Sequence, residues 1–134
     1  MHNWRKLLEA ASQSRSLPFQ KLQLLDNGAE IILANGRRQK FSIERETSFY
    51  RLTSVVMGSK RVEAYGIAET LNLAWQRNHE VAVVAFNVDR QGRLIGEIQL
   101  LADTLEADEA VFYIQQLMEE CDRLEYLLVG RDEQ

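Results

Sequence analysis

Residues 81–101 read VAVVAFNVDRQGRLIGEIQLL, and this stretch decides the fold. Val81 to Val88 is an apolar run rich in β-branched residues, Asp89-Arg90-Gln91-Gly92 is a turn, and Leu94 to Leu101 is a second apolar run. Two such runs joined by a turn make an antiparallel hairpin. A long helix follows. Ala110, Ile114, Leu117, Cys121, Leu124 and Leu128 form its apolar stripe, flanked by Val111, Met118 and Glu125. Asp103, Glu106, Asp108 and Glu109 gather at its start, where the helix dipole favours negative charge, and Gly130 is expected to end it. A hairpin carrying a terminal helix is a scaffold for binding, and nothing in it supplies a reacting group.

Working outward, residues 60–77 form a second amphipathic helix, with Ser59 as its expected N-cap. Ala64, Ile67, Ala68, Leu71, Ala74 and Trp75 share a broad face that is expected to lie on the sheet. Val62, Gly66 and Leu73, with Tyr65 beside them, form a narrower second stripe. A helix with two apolar sides lies between two layers, so the spacing predicts a subunit contact through Val62, Tyr65, Gly66 and Leu73. Gly66 costs about 1 kcal/mol relative to alanine in a helix interior but lets another backbone come close.

The first half reads as strands preceded by a short helix. Trp4, Leu7, Leu8 and Ala11 recur at helical spacing over residues 2–15, and Pro18 disfavours helix just before it. Phe19, Leu22, Leu24 and Leu25 form a strand closed by the turn Asp26-Asn27-Gly28, and Ala29 to Ala34 a second. Asn35-Gly36 is a strong hairpin signal. Gln39 to Arg45 alternates, with Phe41 and Ile43 on one face. Phe49 to Met57 puts Tyr50, Leu52, Ser54 and Val56 on one side. These pieces are either two hairpins or three strands, one of them long and bulged at Asn35-Gly36. The fold class is therefore α+β, an antiparallel sheet flanked by three helices in the order α-β-β-β(-β)-α-β-β-α.

At 134 residues the chain fits one domain, residues 1–134, that needs neither disulfide nor metal to hold it. With 46% hydrophobic and 27% charged residues it is ordinary for a soluble globular protein. It has no apolar run of membrane-spanning length, its first residues lack a signal-peptide pattern, and one cysteine excludes an internal disulfide. Cytoplasmic residence is the simplest expectation. The net charge of −4 hides an asymmetry. Residues 37–61 hold seven Lys/Arg against Glu44 and Glu46, whereas residues 103–134 hold ten Asp/Glu against Arg123 and Arg131.

Catalytic and metal chemistry find no pattern. Cys121 sits in the helix stripe among Glu119, Glu120 and Asp122, which disfavour a thiolate. His2 and His79 lack the spaced partners of a zinc site, so no cofactor is expected. Gly58-Ser59-Lys60 is a strand-to-helix turn, since the rest of a phosphate loop is missing. The carboxylate pairs Asp108-Glu109 and Glu119-Glu120 are adjacent on a helix and point apart. Arg37, Arg38, Lys40, Arg45 and Arg51, interleaved with Phe41, Phe49 and Tyr50, make the one group with a ligand reading, single-stranded nucleic acid held by phosphate contact and stacking. No RNP-type motif accompanies them, and the pI is about 5.2. Basic residues on an exposed hairpin also block edge-to-edge aggregation without any ligand. Nucleic acid is the alternative reading.

Three segments carry a family likeness. They are residues 71–78 (LNLAWQRN), the hairpin residues 85–94 (AFNVDRQGRL), and Ala102-Asp103-Thr104-Leu105 followed by the helix through Cys121-Asp122-Arg123-Leu124. Together with the order of elements they resemble the type III secretion chaperone-like superfamily, including the YbjN-like proteins. The resemblance implies a noncatalytic homodimer that binds an extended segment of a client protein, with dimer contacts on the middle helix and a neighbouring strand. Strand addition at a sheet edge would supply main-chain affinity.

Overall fold

A computed structural model describes residues 3–13 and 17–132, with side chains described as far as residue 128. Helix α1 (Trp4–Ser12) leads into β1 (Lys21–Leu25), β2 (Gly28–Ile32), β3 (Arg38–Arg45) and β4 (Phe49–Met57). Helices α2 (Ser59–Tyr65) and α3 (Ile67–Glu80), strands β5 (Ala85–Val88) and β6 (Leu94–Leu101), and helix α4 (Ala107–Asp132) follow. All six strands join one antiparallel sheet in the order β1-β2-β3-β4-β6-β5. The first half thus resolves into two hairpins, with Asn35-Gly36 in the connection between β2 and β3. Gly36 takes φ 87°, and its N–H donates to Leu33 O at 2.9 Å.

The decisive hairpin forms as its sequence dictates. Asp89 carries most of the turn: its carboxylate accepts from the N–H groups of Gln91 (3.0 Å) and Arg93 (2.9 Å) and from Arg93 Nε (2.9 Å). Burial opposes the charge, but these bonds outweigh it and hold the carboxyl below the usual carboxylate range. Gly92 supplies the positive φ that closes the turn.

Helix α4 lies across β3, β4 and β6, with α1 packed beside it over β1. All six residues of its apolar stripe are buried, together with Tyr50, Leu52, Ser54 and Val56 from β4 and Phe41 and Ile43 from β3. Cys121 belongs to this contact. A Cβ at Gly96 on β6 would stand 2.5 Å from the Cys121 sulfur, so the missing side chain lets helix and strand approach. Burial is the largest influence on the thiol and pushes it up to about 12, so it stays protonated and packs as a small apolar group.

Four details depart from the sequence expectations. The middle helix is two helices, because Gly66 takes φ 111° and ψ 128° and interrupts it; α3 starts anew, with Gly66 O accepting from Thr70 N (2.9 Å) and Thr70 Oγ1 (2.7 Å). The N-cap of α2 is Gly58 rather than Ser59, one residue earlier, because Gly58 is the last residue with extended backbone. Strand β5 starts at Ala85 rather than Val81, because Val81 caps α3 and residues 82–83 form a bend. Helix α4 passes through Gly130 instead of stopping there. A left-handed cap is commonly held by an apolar contact from the residue just beyond the glycine, and here that residue is Arg131.

The two sheet edges differ. Along β5, Phe86 gives its N–H to Asn78 Oδ1 (2.7 Å), and its carbonyl accepts from Asn78 Nδ2 (2.9 Å), so a side-chain amide on α3 stands where a further strand would pair. Removing that amide with Asn78→Ala is expected to cost about 1–2 kcal/mol and to speed hydrogen exchange at the Phe86 amide. Unchanged exchange there would show that the clamp is idle. Strand β1 pairs with β2 alone among the described strands.

Candidate functional site: an uncovered helix face

Helix α3 packs beside β5 and turns Thr70, Leu73 and Ala74 inward. Arg77 also points inward. Its guanidinium bonds Glu80 (2.9 Å) and Glu120 on α4 (3.0 Å), tying the two helices together. Two of these four inward residues are polar: Thr70 donates to the Gly66 carbonyl, and the two Nη groups of Arg77 donate to Glu80 and Glu120, while its buried Nε has no hydrogen-bond partner.

This arrangement reverses the two faces expected from periodicity. Val62 is 1% exposed and Leu73 9%, sealed in the subunit's own core, while Tyr65 is half-buried against it. Val62 and Leu73 therefore offer no surface to a second subunit. Gly66 serves as the break between α2 and α3. Of the face assigned to the sheet, only Ala74 is buried. Ile67, Leu71 and Trp75 remain 57%, 50% and 62% exposed, four residues apart on one side of α3. Both sides of the helix are apolar enough to be buried, and hydrophobicity alone cannot rank them. The break at Gly66 and the inward, paired Arg77 decide the matter, and neither signals itself in a hydrophobic pattern.

The Trp75 ring is stacked on His79, with centroids 4.2 Å apart, and His79 Nδ1 lies 2.9 Å from the Trp75 carbonyl oxygen. The histidine thus extends the stripe by one further turn. His2 lies outside the described residues. Among the described residues no group of three His, Cys, Asp or Glu is placed to hold a metal ion, and no helix is long and apolar enough to cross a membrane.

The basic residues of the alternative reading are not gathered into one patch. Arg37 and Arg45 lie on the helix side of the sheet, over the rings of Tyr126 and Tyr50. Arg38, Lys40 and Arg51 belong to the opposite face by strand alternation. Four of the five face carboxylates: Arg37 with Asp122, Arg38 with Glu30 (3.5 Å), Arg45 with Asp103 (3.7 Å), and Arg51 with Glu46 (3.1 Å) and Glu97 (3.3 Å). A phosphate backbone would have to displace these carboxylates one by one, and from two sides of the sheet.

The fold is α+β, a six-stranded antiparallel sheet with four helices among the described residues, and it is similar to that of type III secretion chaperones. The chain is similar to a chain of the ExsC–ExsE complex, with a TM-score of 0.60 and 19% identity over 93% of this chain and 92% of that one. It is likewise similar to a chain of the HopA1–SchA chaperone–effector complex, with a TM-score of 0.58 and 17% identity over 92% and 93% of the two chains. A third similar structure is that of the Yersinia pestis type III secretion chaperone SycH in complex with a fragment of YscM2, with a TM-score of 0.53 and 9% identity over 91% and 99%. No protein-family model matches the sequence, and no curated protein matches it. The likeness is one of fold.

Proposed function

We propose that this chain is a noncatalytic, chaperone-like protein of the YbjN-like kind that works as a homodimer and holds an extended segment of a client protein. The observation that carries the reading is the apolar stripe Ile67, Leu71 and Trp75, half or more exposed on one side of α3. Three large side chains on one ridge are costly to leave wet, at roughly 25 cal/mol for each Å² of apolar surface. A second copy of the chain covers the stripe in this reading, and the chaperone-like fold supports that assignment. The client joins at the other edge of the sheet. Strand β1 is the edge this reading assigns to strand addition: it pairs with β2 alone among the described strands, with its last carbonyl, Leu25 O, accepting from Arg5 Nη1 (2.7 Å), while β5 is closed by Asn78.

Two arginine substitutions test the dimer. Leu71→Arg is expected to halve the mass measured by light scattering after gel filtration and to leave the circular dichroism and unfolding midpoint nearly unchanged. Leu73→Arg, two residues away, places an unpaired charge in the core and is expected to unfold the subunit. A wild-type monomer at micromolar concentration, or a Leu71→Arg protein that stays dimeric, would overturn this assignment. Client binding is tested separately. Bait protein immobilised from native lysate should retain one defined protein at moderate salt, and Leu22→Pro in β1, which breaks that strand's pairing, should release it. Retention of nucleic acid that falls steeply with salt would favour the alternative instead.

A further inference from the structure

Strand β6 runs four residues past β5, whose ladder ends with Ala85 opposite Glu97. Main-chain groups along β6 turn alternately to its two neighbours. Ala102 N–H donates to Ser48 O at 3.1 Å, beside the first residue of β4, so Leu100 and Ile98 also face β4. Gln99 and Leu101 therefore face the other way, and no strand among the described residues meets them there. The Asn78 clamp gives the same parity. It takes both main-chain groups of Phe86 on the outer side, so Ala85 and Asn87 are the residues that bond β6. The sheet edge thus has a notch beside Gln99, which is exposed.

Residues 81–84, Val-Ala-Val-Val, lie next to that notch and favour extended backbone. Val84 is already placed as a strand residue. A Cβ at Gly96 would stand 3.1 Å from the Phe86 ring and 3.3 Å from Val84 Cγ1, so the two side chains share one side of the sheet, as alternate strand residues do. One residue further back the chain leaves this line, because residues 82–83 bend. Packing does not hold the bend: Val83 is 39% exposed, and a cleft of about 410 Å³ lies between it and Glu120 and Arg123 on α4. It is held from its end. Val81 N–H donates to Arg77 O at 3.0 Å, and that last turn of α3 is pinned by the Arg77 guanidinium on Glu80 and Glu120. The turn is not fully satisfied, since Arg77 Nε is buried without a hydrogen-bond partner.

We propose that Val83 and Val84 are a strap that closes on β6 when the last turn of α3 opens. Continuing the β5 register sets Val83 opposite Gln99, and each then donates its N–H to the other's carbonyl. With Asn78 still on Phe86, a strand reaching back to Val83 ends about 10 Å from Phe86, a gap that residues 79–82 span once the turn is extended. Closed, the strap fills the notch and denies it to a foreign strand. The end of α3 thereby sets how much of this edge is exposed, with neither a client nor a second copy required.

Amide hydrogen exchange read by NMR tests the strap with two prolines. Val81→Pro removes the N–H bonded to Arg77 O and disfavours helix at Glu80, so it opens the turn. In wild type the Gln99 and Val83 amides are expected to exchange freely. In Val81→Pro both should slow by about tenfold or more, while Leu101 stays fast and Phe86 stays protected. Adding Val83→Pro removes the strap's own donor and should return Gln99 to the wild-type rate. Fast exchange at Gln99 and Val83 in a Val81→Pro protein that keeps Phe86 protected would overturn the strap. Where Val81→Pro loses the Phe86 protection, Glu80→Gly, a change at an exposed position that weakens the same turn, reads the same two amides and decides in the same way.

Discussion

Asp122→Ala is expected to destabilise the protein by about 2–3 kcal/mol, because it empties the centre of a polar network in which Asp122 and Gln39 are buried while Arg37 and Asn35 reach the surface. Asp122 is on α4, on the side facing the sheet, and is 5% exposed. Its carboxylate accepts from Arg37 Nε at 2.9 and 3.0 Å, from Arg37 Nη2, from Gln39 Nε2 (3.1 Å) and from Asn35 Nδ2 (3.3 Å). The donors all come from the β2–β3 connection and the start of β3, so the network fixes that hairpin under the helix. Tyr126, one turn further along α4, places its ring 4.7 Å from the Arg37 guanidinium carbon and keeps it in place. Truncation to alanine leaves the Gln39 amide one acceptor short in a buried site, with Glu125 still bonded to it at 2.8 Å.

The same network gives stability a definite pH dependence. Burial alone would raise the Asp122 carboxyl, but the bonds from Arg37, Gln39 and Asn35 outweigh it and hold the group below its ordinary value. In the window between the folded and unfolded values the unfolded chain binds more protons, so stability rises with pH there. The contribution is complete above about pH 5 and is lost as pH falls through about 4 and below, toward the lowered folded value. Urea unfolding of wild type and Asp122→Asn across that range should show a gap that is constant near neutrality and narrows in acid. A gap independent of pH would mean that the charge of Asp122 contributes nothing. Asp89, lowered in the same direction by its turn, adds a slope common to both proteins.

What the sequence made legible follows the physics of each element. The α4 stripe was readable because it is a single apolar face at helical spacing, and the β5–β6 hairpin because two apolar runs meet at a turn signal that agrees with them. Residues Ala110 through Leu128 of the stripe are all buried. The first half left the strand count open because Asn35-Gly36 suits a tight hairpin turn and a bulge equally well, and the pairing of β2 with β3 across it, with Ile32 opposite Arg38, settles it. The candidate site was half legible. A two-sided apolar helix was visible from Val62 to Trp75, yet which side faces in depends on Gly66 breaking the helix and on Arg77 finding Glu120, 43 residues away. Charge patterning misled for a related reason. The basic run at residues 37–61 finds its carboxylates on other elements, Asp122 and Glu97 among them, which a linear count does not reveal.

Gly28→Ala is the single-methyl change with the largest expected cost, about 3 kcal/mol or more. Read in sequence, Gly28 closes the turn Asp26-Asn27-Gly28. In the fold it opens β2, opposite Ser42 on β3, and its φ is not positive. The reason for glycine is contact. A Cβ there would overlap the Phe41 carbonyl oxygen and lie 2.8 Å from that carbonyl carbon and 2.9 Å from Ser42 Cα. All three atoms are backbone, so no rotamer change relieves the overlap, and β2 must draw away from β3. Ile43 N–H donates to Asn27 O at 2.7 Å next to this point, so the separation also strains a short main-chain bond. Gly36→Ala is the contrasting change: nothing lies within 4 Å of its Cβ, and its cost is the φ of 87° alone, about 1–2 kcal/mol. Urea midpoints should therefore rank wild type above Gly36→Ala and Gly36→Ala above Gly28→Ala. The hairpin carries Arg37 and Gln39, so Gly28→Ala should also weaken the Asp122 network. Combined with Asp122→Ala, the two losses should sum to less than their separate values. A Gly28→Ala protein as stable as wild type would mean that β2 and β3 do not approach as closely as this packing requires.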